Sequence, residues 1–576
     1  MKFAISILLA VMAMLTAGCA VKPVDTSPLP PPAAAAVSAP SQAAAVTTDI
    51  PPQIMYQLLV ADIATQRGKL GVAVANYREA ARITRDPRIA ERAARVAMFA
   101  KALKPSLEAA TLWVELAPND ADARRILGAL LLAFGRAPEA EVQFSAYLDL
   151  SADRPNHGFQ QVANQLVREQ NRVAAMTVME NLLASRQDDP DAWLAHAWVA
   201  MRQGKFDTAM DSLLKAEALK PGWRQAVVLR ARVMSLQGRK QEAVDYLAGQ
   251  LEGDLADDPD VRMTYARLLT EVDALEAALE AFSALAKDYP NNPEVHYAAG
   301  VLSLQLGRLD VARTHLETVL SLGQRMLEAN FYLGRVYELQ GYKEQAITRY
   351  MAVRHGDYYI TAHARAASLM AEMGRLQQAR ELLHSLRLRH DKDRQRVYLM
   401  ESELLRQAGE DQAAFEFLSE KLRERPDDTT LRYARALIAE RLDRLELAER
   451  DLRVIIEREP SNAQALNALG YTLADRTDRY DEALDYIQRA LAVQPEDAAI
   501  IDSMGWVQYR LGNLEKAREY LRRALELVKD PEIAAHLGEV LWQMGDRQSA
   551  IEVWEEYWQQ FPDHEALRKV MDRFGL

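Results

Sequence analysis

A small residue recurs at nearly constant spacing along the chain, and this repetition constrains the fold more than any other feature. Fifteen such residues follow one another at intervals of 33, 34 or 35 positions. They are Ala73, Ser106, Ala140, Ala175, Ala209, Ala243, Ala278, Ala312, Ala346, Ala379, Ala414, Ala448, Ala483, Ala517 and Ala550. A large apolar residue follows four positions later in every unit but the second. Because residues four apart share one face of a helix, each unit predicts a helix that presents a small and a large residue to a neighbour.

Each unit carries further marks of a helical hairpin. A second small residue lies twelve positions before the first, for example Gly128 or Gly538, and a glycine such as Gly135 often lies between the two. Glycine there allows the left-handed conformation that ends a helix. The pattern resembles the tetratricopeptide repeat, a helix–turn–helix unit of about 34 residues. The resemblance implies an all-α fold, a right-handed superhelical solenoid of about fifteen such units over residues 54–562, with a capping helix at 563–576. One solenoid, rather than about four globular domains, would then account for the 576 residues.

The N-terminus has the pattern of an export signal. In residues 1–18, Lys2 precedes an apolar run that is too short to span a bilayer, and small residues then lead to Cys19. These residues resemble the lipobox of bacterial lipoproteins, although Thr16 stands where leucine is usual. The resemblance implies that Cys19 carries the lipid and anchors the chain to the periplasmic face of the outer membrane. The alternative is an ordinary secretory signal with an incidental cysteine.

A tether is predicted between this signal and the repeats. Residues 20–50 contain nine alanines and six prolines and show no apolar period. Such a segment cannot bury enough apolar surface to offset the entropy lost on ordering. We therefore expect residues 19–53 to form a lipidated, disordered linker.

The sequence lacks the motifs of common enzymes and cofactor sites. It contains no HExxH, GxSxG, GxGxxG or phosphate-binding GxxxxGK. The signal, tether and repeats leave no stretch long enough for a catalytic domain, so we expect no catalysis, cofactor or metal. The net charge of −12 disfavours nucleic acid as a partner, since proteins that bind it usually carry a basic surplus.

A basic segment occurs near the start of the repeats. Residues 78–104 contain eight lysines and arginines against three acidic residues. Its predicted partner-binding residues are Arg82, Arg85, Arg88, Arg92 and Arg95. Such a run is typical either of a solvated helix face or of a surface that binds an acidic partner.

Aromatic and polar residues concentrate in the last three units. The repeat register places seven of them on outward-facing positions of the first helix of each unit: Asn467, Tyr471, Trp506, Tyr509, Arg510, Glu539 and Trp542. Aromatic residues with arginine are typical of protein-binding hot spots. The alternative is that Trp506 and Trp542 pack at the seam between units. A clamp for a C-terminal carboxylate is not supported, because Tyr471 stands where such clamps carry a second asparagine.

Three segments resemble a narrower group of proteins. They are DPRIAERAARVAMFA at 86–100, IDSMGWVQYRLGNLEKAREYLRRAL at 501–525 and DPEIAAHLGEVLWQMGD at 530–546. With the lipobox and tether, they resemble the outer-membrane lipoproteins of pseudomonads that bind a periplasmic carboxyl-terminal processing protease. The resemblance implies a non-catalytic adaptor that recruits this protease and its peptidoglycan-hydrolase substrates. The alternative is an assembly lipoprotein for an export apparatus, such as a secretin or an exopolysaccharide secretion system.

Overall fold

The computed structural model describes residues 51–152, 158–389, 393–562 and 564–576, so Cys19, the predicted signal and most of the predicted tether lie outside the described residues. The described residues contain thirty-one α-helices and no strand. The helices form fifteen consecutive pairs followed by a single helix. The predicted all-α fold of helix–turn–helix units is therefore confirmed.

Contacts divide the described helices into two compact groups, one up to Gln324 and one from Arg325 onward. The first group consists of eight pairs: α1 (Pro52–Gln66), α2 (Leu70–Thr84), α3 (Pro87–Phe99), α4 (Leu103–Leu116), α5 (Ala121–Ala133), α6 (Ala137–Leu150), α7 (Gly158–Val167), α8 (Arg172–Ala184), α9 (Pro190–Arg202), α10 (Phe206–Leu219), α11 (Arg224–Leu236), α12 (Lys240–Leu251), α13 (Pro259–Glu271), α14 (Leu275–Asp288), α15 (Pro293–Gln305) and α16 (Leu309–Ser321). The second group consists of seven pairs and the last helix: α17 (Met326–Leu339), α18 (Lys343–Met351), α19 (Tyr359–Glu372), α20 (Leu376–Arg389), α21 (Arg394–Gln407), α22 (Asp411–Glu424), α23 (Thr429–Arg441), α24 (Leu445–Arg458), α25 (Ala463–Arg476), α26 (Tyr480–Val493), α27 (Ala498–Arg510), α28 (Leu514–Leu527), α29 (Pro531–Gln543), α30 (Arg547–Gln560) and α31 (Glu565–Phe574).

The recurring small residues bring the two helices of each pair together. All fifteen markers of the second helices are at most 1% exposed. The glycines of the first helices face the large residue that follows the marker: a Cβ on Gly334 would lie 2.5 Å from the Tyr350 ring, and one on Gly470 would lie 2.5 Å from Ile487. Real Cβ atoms do not approach so closely, so only glycine allows these helices their observed separation.

Caps and turns delimit the helices of each pair. Many first helices begin after an aspartate or asparagine that accepts a backbone N–H, as Asp497 does from Ala499 and Ile500. The turn within a pair commonly contains a glycine with positive φ, such as Gly135 at 74°. In the second pair Lys101 occupies this place with φ of 55°. A residue with a side chain is disfavoured in this left-handed region, so Lys101 has a local conformational cost.

One buried histidine links the helices of the fifth pair. His196 on α9 lies 2.7 Å from the hydroxyl oxygen of Ser212 on α10. Because that hydroxyl donates to the Thr208 carbonyl, its oxygen accepts from Nδ1–H of His196. Burial, with smaller contributions from the charges of Lys205 and Lys215, lowers the pKa of His196 to about 4.

Because the pKa of His196 is lowered in the folded chain, we expect the free energy of unfolding to fall in mild acid. The unfolded chain binds a proton at His196 near pH 6.5, whereas the folded chain does so only near pH 4, so the free energy of unfolding falls as the pH drops through this window. We expect His196 to contribute roughly 3 kcal/mol to that fall. His196→Gln should flatten the slope measured by urea unfolding between these pH values. The control His355→Gln changes an exposed side chain, and an equal flattening by the control would contradict the assignment.

Candidate protein-binding site

The predicted C-terminal residues lie on three successive first helices, but they do not all face outward. Asn467 and Tyr471 on α25, Trp506 on α27 and Glu539 on α29 are buried. Tyr509, Arg510 and Trp542 are half-buried. The prediction of seven outward-facing side chains is therefore wrong. The physical reason is that α25 packs on α27 and α27 on α29, so that residues of one helix are covered by the next.

Aromatic rings from these helices form one cluster, which we call the C-terminal aromatic cluster: Tyr471, Trp506 and His536, with Asp502 bonded to His536 and Asn467 one helical turn before Tyr471 on α25. The rings of Trp506 and His536 are stacked with centroids 4.3 Å apart. The Tyr471 ring lies 6.4 Å from that of His536. Nδ1 of His536 lies 2.8 Å from Oδ1 of Asp502 and donates to this carboxylate. The cluster thus connects three consecutive units through their first helices.

Three polar atoms of the cluster are buried without a hydrogen-bond partner among the described residues. They are Oδ1 of Asn467, Nε1 of Trp506 and Nε2 of His536. Nε1 of Trp506 is a donor, Oδ1 of Asn467 is an acceptor, and Nε2 of His536 is the ring nitrogen that does not face Asp502. A buried polar group without a partner costs about 1–3 kcal/mol. A water or ligand group that supplied the missing hydrogen bonds would stabilise the cluster.

The remaining polar residues of this region are engaged within the fold. Tyr509 donates to Oε1 of Glu539 at 3.1 Å, and Arg573 of α31 pairs with the same oxygen at 3.0 Å. Burial, followed by the charge and hydrogen bond of Glu539, raises the pKa of Tyr509 to about 12. Arg510 donates to the Asp475 carbonyl and to the Tyr480 hydroxyl. Arg510 therefore joins two units and does not extend towards a ligand.

Trp542 packs at the end of the repeats. Its ring lies 4.9 Å from that of Phe574 in α31 and 5.9 Å from that of Trp554 in α30. Of the two interpretations that the sequence left open for this tryptophan, the described contacts support packing at a seam. The last helix covers it in the way that a terminal helix shields the final unit of a repeat protein.

The arginines of the basic segment near the N-terminus are paired with acidic residues. Each of its five predicted binding residues forms an ion pair: Arg82 with Glu79, Arg85 with Glu115, Arg88 with Asp86, Arg92 with Asp62 and Arg95 with Glu91. The arginine side chains are nevertheless exposed, from 50% for Arg95 to 83% for Arg88. Exposed pairs contribute little to stability, so a partner can still compete for these side chains. These five arginines do not, however, form an uncompensated positive surface.

His536 and Asp502 are not among the residues that the sequence predicts to bind a partner. Their positions differ by 34, which is one repeat, and this spacing places them side by side on neighbouring first helices. A search for titratable residues one repeat apart would have found the pair. Among the described residues there is no group of three or more histidine, cysteine, aspartate or glutamate side chains able to hold a metal ion. No helix in the described ranges combines the length and apolar character needed to cross a bilayer.

Comparison with known proteins connects this architecture to a family. Family models described as tetratricopeptide repeat match residues 163–222, 266–324, 297–354, 461–530 and 503–565. The chain is 33% identical over 485 residues to the TPR repeat-containing protein PA4667 of Pseudomonas aeruginosa, which covers 84% of this chain and 82% of that protein. A shorter match, 31% identical over 93 residues, is to bacteriophage adsorption protein A of Escherichia coli and covers 16% of this chain and 9% of that protein. Among solved structures, the APC/C hetero-tetramer Cut9–Hcn1 is 14% identical with a TM-score of 0.32, covering 91% of this chain and 96% of that chain.

The long match and the helix pairs lead to the same assignment. The relative from Pseudomonas aeruginosa is aligned over more than four fifths of both chains, and the family models match residues in both groups of helices. Proteins of this kind are generally non-catalytic scaffolds for protein–protein interactions. The chain therefore belongs to the family of tetratricopeptide-repeat proteins.

Proposed function

We propose that the chain is a non-catalytic adaptor that binds a periplasmic carboxyl-terminal processing protease together with its peptidoglycan-hydrolase substrates. Binding both would promote proteolysis of the hydrolases by bringing enzyme and substrate together. The partners are proposed from the resemblance of residues 86–100, 501–525 and 530–546 to the lipoproteins that bind such a protease.

One observation carries the adaptor role. Every described helix belongs to one of fifteen pairs or closes the last of them. Each unit of such a fold contacts mainly its neighbours, so a long array offers separate surfaces to more than one protein. The exposed arginines between Arg82 and Arg95 and the last three units lie on different groups of helices, and we propose that these two regions contact different partners.

The partners can be tested by affinity capture. The tagged chain would be expressed in its native host with a catalytically inactive variant of the protease, which retains substrates instead of cleaving them. We expect the protease and at least one peptidoglycan hydrolase to co-purify from a detergent extract. A bait that contains only residues 19–53 is the matched control. Recovery of secretin or exopolysaccharide-export components in place of both partners would contradict the adaptor role and favour an assembly function.

The proposal also places the chain on the periplasmic face of the outer membrane through a lipid on Cys19. Anchoring would confine the adaptor to the compartment of its proposed partners. In the same host, Cys19→Ala should move the chain out of the outer-membrane fraction or leave its signal uncleaved. A variant that fractionates as before, with normal processing, would show that the lipid on Cys19 is not the anchor.

A further inference from the structure

The turns of the first two helix pairs form a small surface of exposed cations and apolar side chains. We call it the N-terminal turn edge: Arg67, Lys69, Phe99, Lys101, Leu103 and Lys104. Helix α1 lies beside α3 through the ion pair of Asp62 with Arg92, and α2 lies beside α4 through that of Arg78 with Glu108. Because the two pairs stack in parallel, the turn at 66–69 and the turn at 99–102 lie at the same edge of the fold.

This edge combines exposed apolar side chains with cations. Phe99 is 74% exposed and Leu103 is 56% exposed, values that are high for large apolar residues. The four cations are exposed as well, and segments 63–72 and 98–107 contain no acidic residue. None of the four forms an ion pair with any residue of the described ranges, in contrast to the arginines of the neighbouring helices.

Two of these lysines occupy positions that oppose local stability. Lys101 has the left-handed backbone that glycine adopts in most other turns of the array. Lys104 lies in the first turn of α4, where a positive charge opposes the helix dipole; the corresponding first turns of α6, α10 and α12 contain an acidic residue instead. Lysine at a position that favours glycine or an acidic residue lowers local stability, and such a residue indicates a role in binding.

We propose that the N-terminal turn edge docks on an anionic lipid surface, with the lysines and arginine near the headgroups and Phe99 and Leu103 inserted between them. Apolar side chains beside unpaired cations match the chemistry of the membrane interface. The edge consists of two short turns, and a stable protein interface needs about 1,200–2,000 Å² of buried surface, so lipid is favoured over a protein partner or a second copy. The docking does not depend on the lipid attachment or on the adaptor function proposed above.

Vesicle binding tests this proposal in residues 20–576, which lack the apolar signal and Cys19 and keep every helix of the described ranges. We expect this chain to co-sediment with vesicles of equal parts phosphatidylglycerol and phosphatidylcholine, much less with phosphatidylcholine alone, and less as salt is added. Each unit of positive charge removed should weaken binding about fivefold. Lys101→Gly should therefore weaken binding about fivefold, and Lys104→Glu, which changes the charge by two units, about 25-fold.

The same variants separate binding from folding. Lys101→Gly relieves the left-handed backbone and Lys104→Glu complements the helix dipole, so both should keep or raise the thermal midpoint while they weaken binding. Lys205→Ala removes an exposed cation from the turn of the fifth pair and should leave vesicle binding unchanged. Phe99→Ser should weaken binding to anionic vesicles without changing its dependence on salt.

Three results would overturn the proposal. The first is vesicle binding that is equal for the parent chain, Lys101→Gly and Lys104→Glu. The second is an equal loss caused by Lys205→Ala, which would indicate a diffuse charge effect. The third is a sedimentation coefficient that rises with protein concentration in the parent chain but not in the Phe99→Ser variant, which would assign the edge to a second copy of the chain.

Discussion

Replacing Trp554 by alanine is expected to lower the free energy of unfolding of the C-terminal units by about 3–5 kcal/mol. Trp554 is fully buried in α30, where it packs against Gly538 of α29. Its indole N–H donates to the Ala535 carbonyl at 3.3 Å, and its ring stacks on Phe574 with centroids 5.5 Å apart. The substitution therefore leaves a cavity between α29 and α30 and removes the surface on which α31 packs.

The loss should be local, because each helix pair contacts mainly its neighbours. Hydrogen exchange should accelerate in α29, α30 and α31 and remain unchanged in α1 to α16. Trp558→Ala is the matched control, since this second tryptophan of α30 is only half-buried and should cost less. Unchanged protection of α31, or an equal loss from both substitutions, would show that Trp554 does not hold the closing helix in place.

The sequence was a good guide where one residue determines one contact. The recurring alanines predicted the helix pairs because a small residue is needed wherever two backbones approach closely. Ala346, Ala483 and Ala550 are all fully buried, and the large residue four positions after each of them fills the space left by a glycine of the first helix. The number of units was predictable for the same reason, since every unit repeats this local requirement.

The sequence was a poor guide to charge. The run of arginines from Arg82 to Arg95 indicated a positive surface, but Arg92 pairs with Asp62 and Arg85 with Glu115, each 30 positions away. Such pairs depend on which helices become neighbours, and a count over a short window does not include partners 30 positions away. Lys101 and Lys104, which form no ion pair with the part of the chain that the structure describes, belong to the same run, and their place in and beside the turn distinguishes them from the paired arginines.

The orientation of the C-terminal residues could not be predicted for a related reason. Repeat register assigns a face of a helix, but it does not say whether the next unit covers that face. Trp506 is 6% exposed because His536 of the following unit stacks on it. Trp542 is covered by Phe574, and that contact requires α31 to fold back on α29. The residues that bury the two tryptophans, His536 and Phe574, both lie beyond the unit that contains the tryptophan.

A chain that holds a protease and its substrate together should give a cleavage rate that first rises and then falls as its concentration is increased. At low concentration each added copy assembles a complex of all three proteins, in which the effective concentration of the partners reaches about the millimolar range. When the concentrations of protease and hydrolase are well below the dissociation constant of their direct complex, the chain can raise the cleavage rate by about 10²–10⁴-fold. At excess, protease and hydrolase bind to different copies, and the rate returns towards that of the protease alone.

This dependence distinguishes an adaptor from an activator. A chain that only activated the protease would give a rate that rises to a plateau, so a plateau without a later decline would contradict the adaptor role even if cleavage were accelerated. The purified chain alone should hydrolyse nothing.

Deletion of residues 54–119, which removes most of α1 to α4, should abolish binding of one partner and spare the other, since each remaining pair keeps its own neighbours. The rise in cleavage rate should then disappear. A matched deletion of residues 498–576 removes α27 to α31 and should abolish binding of the other partner. If both deletions remove the same partner, the two partners do not bind at opposite ends of the chain.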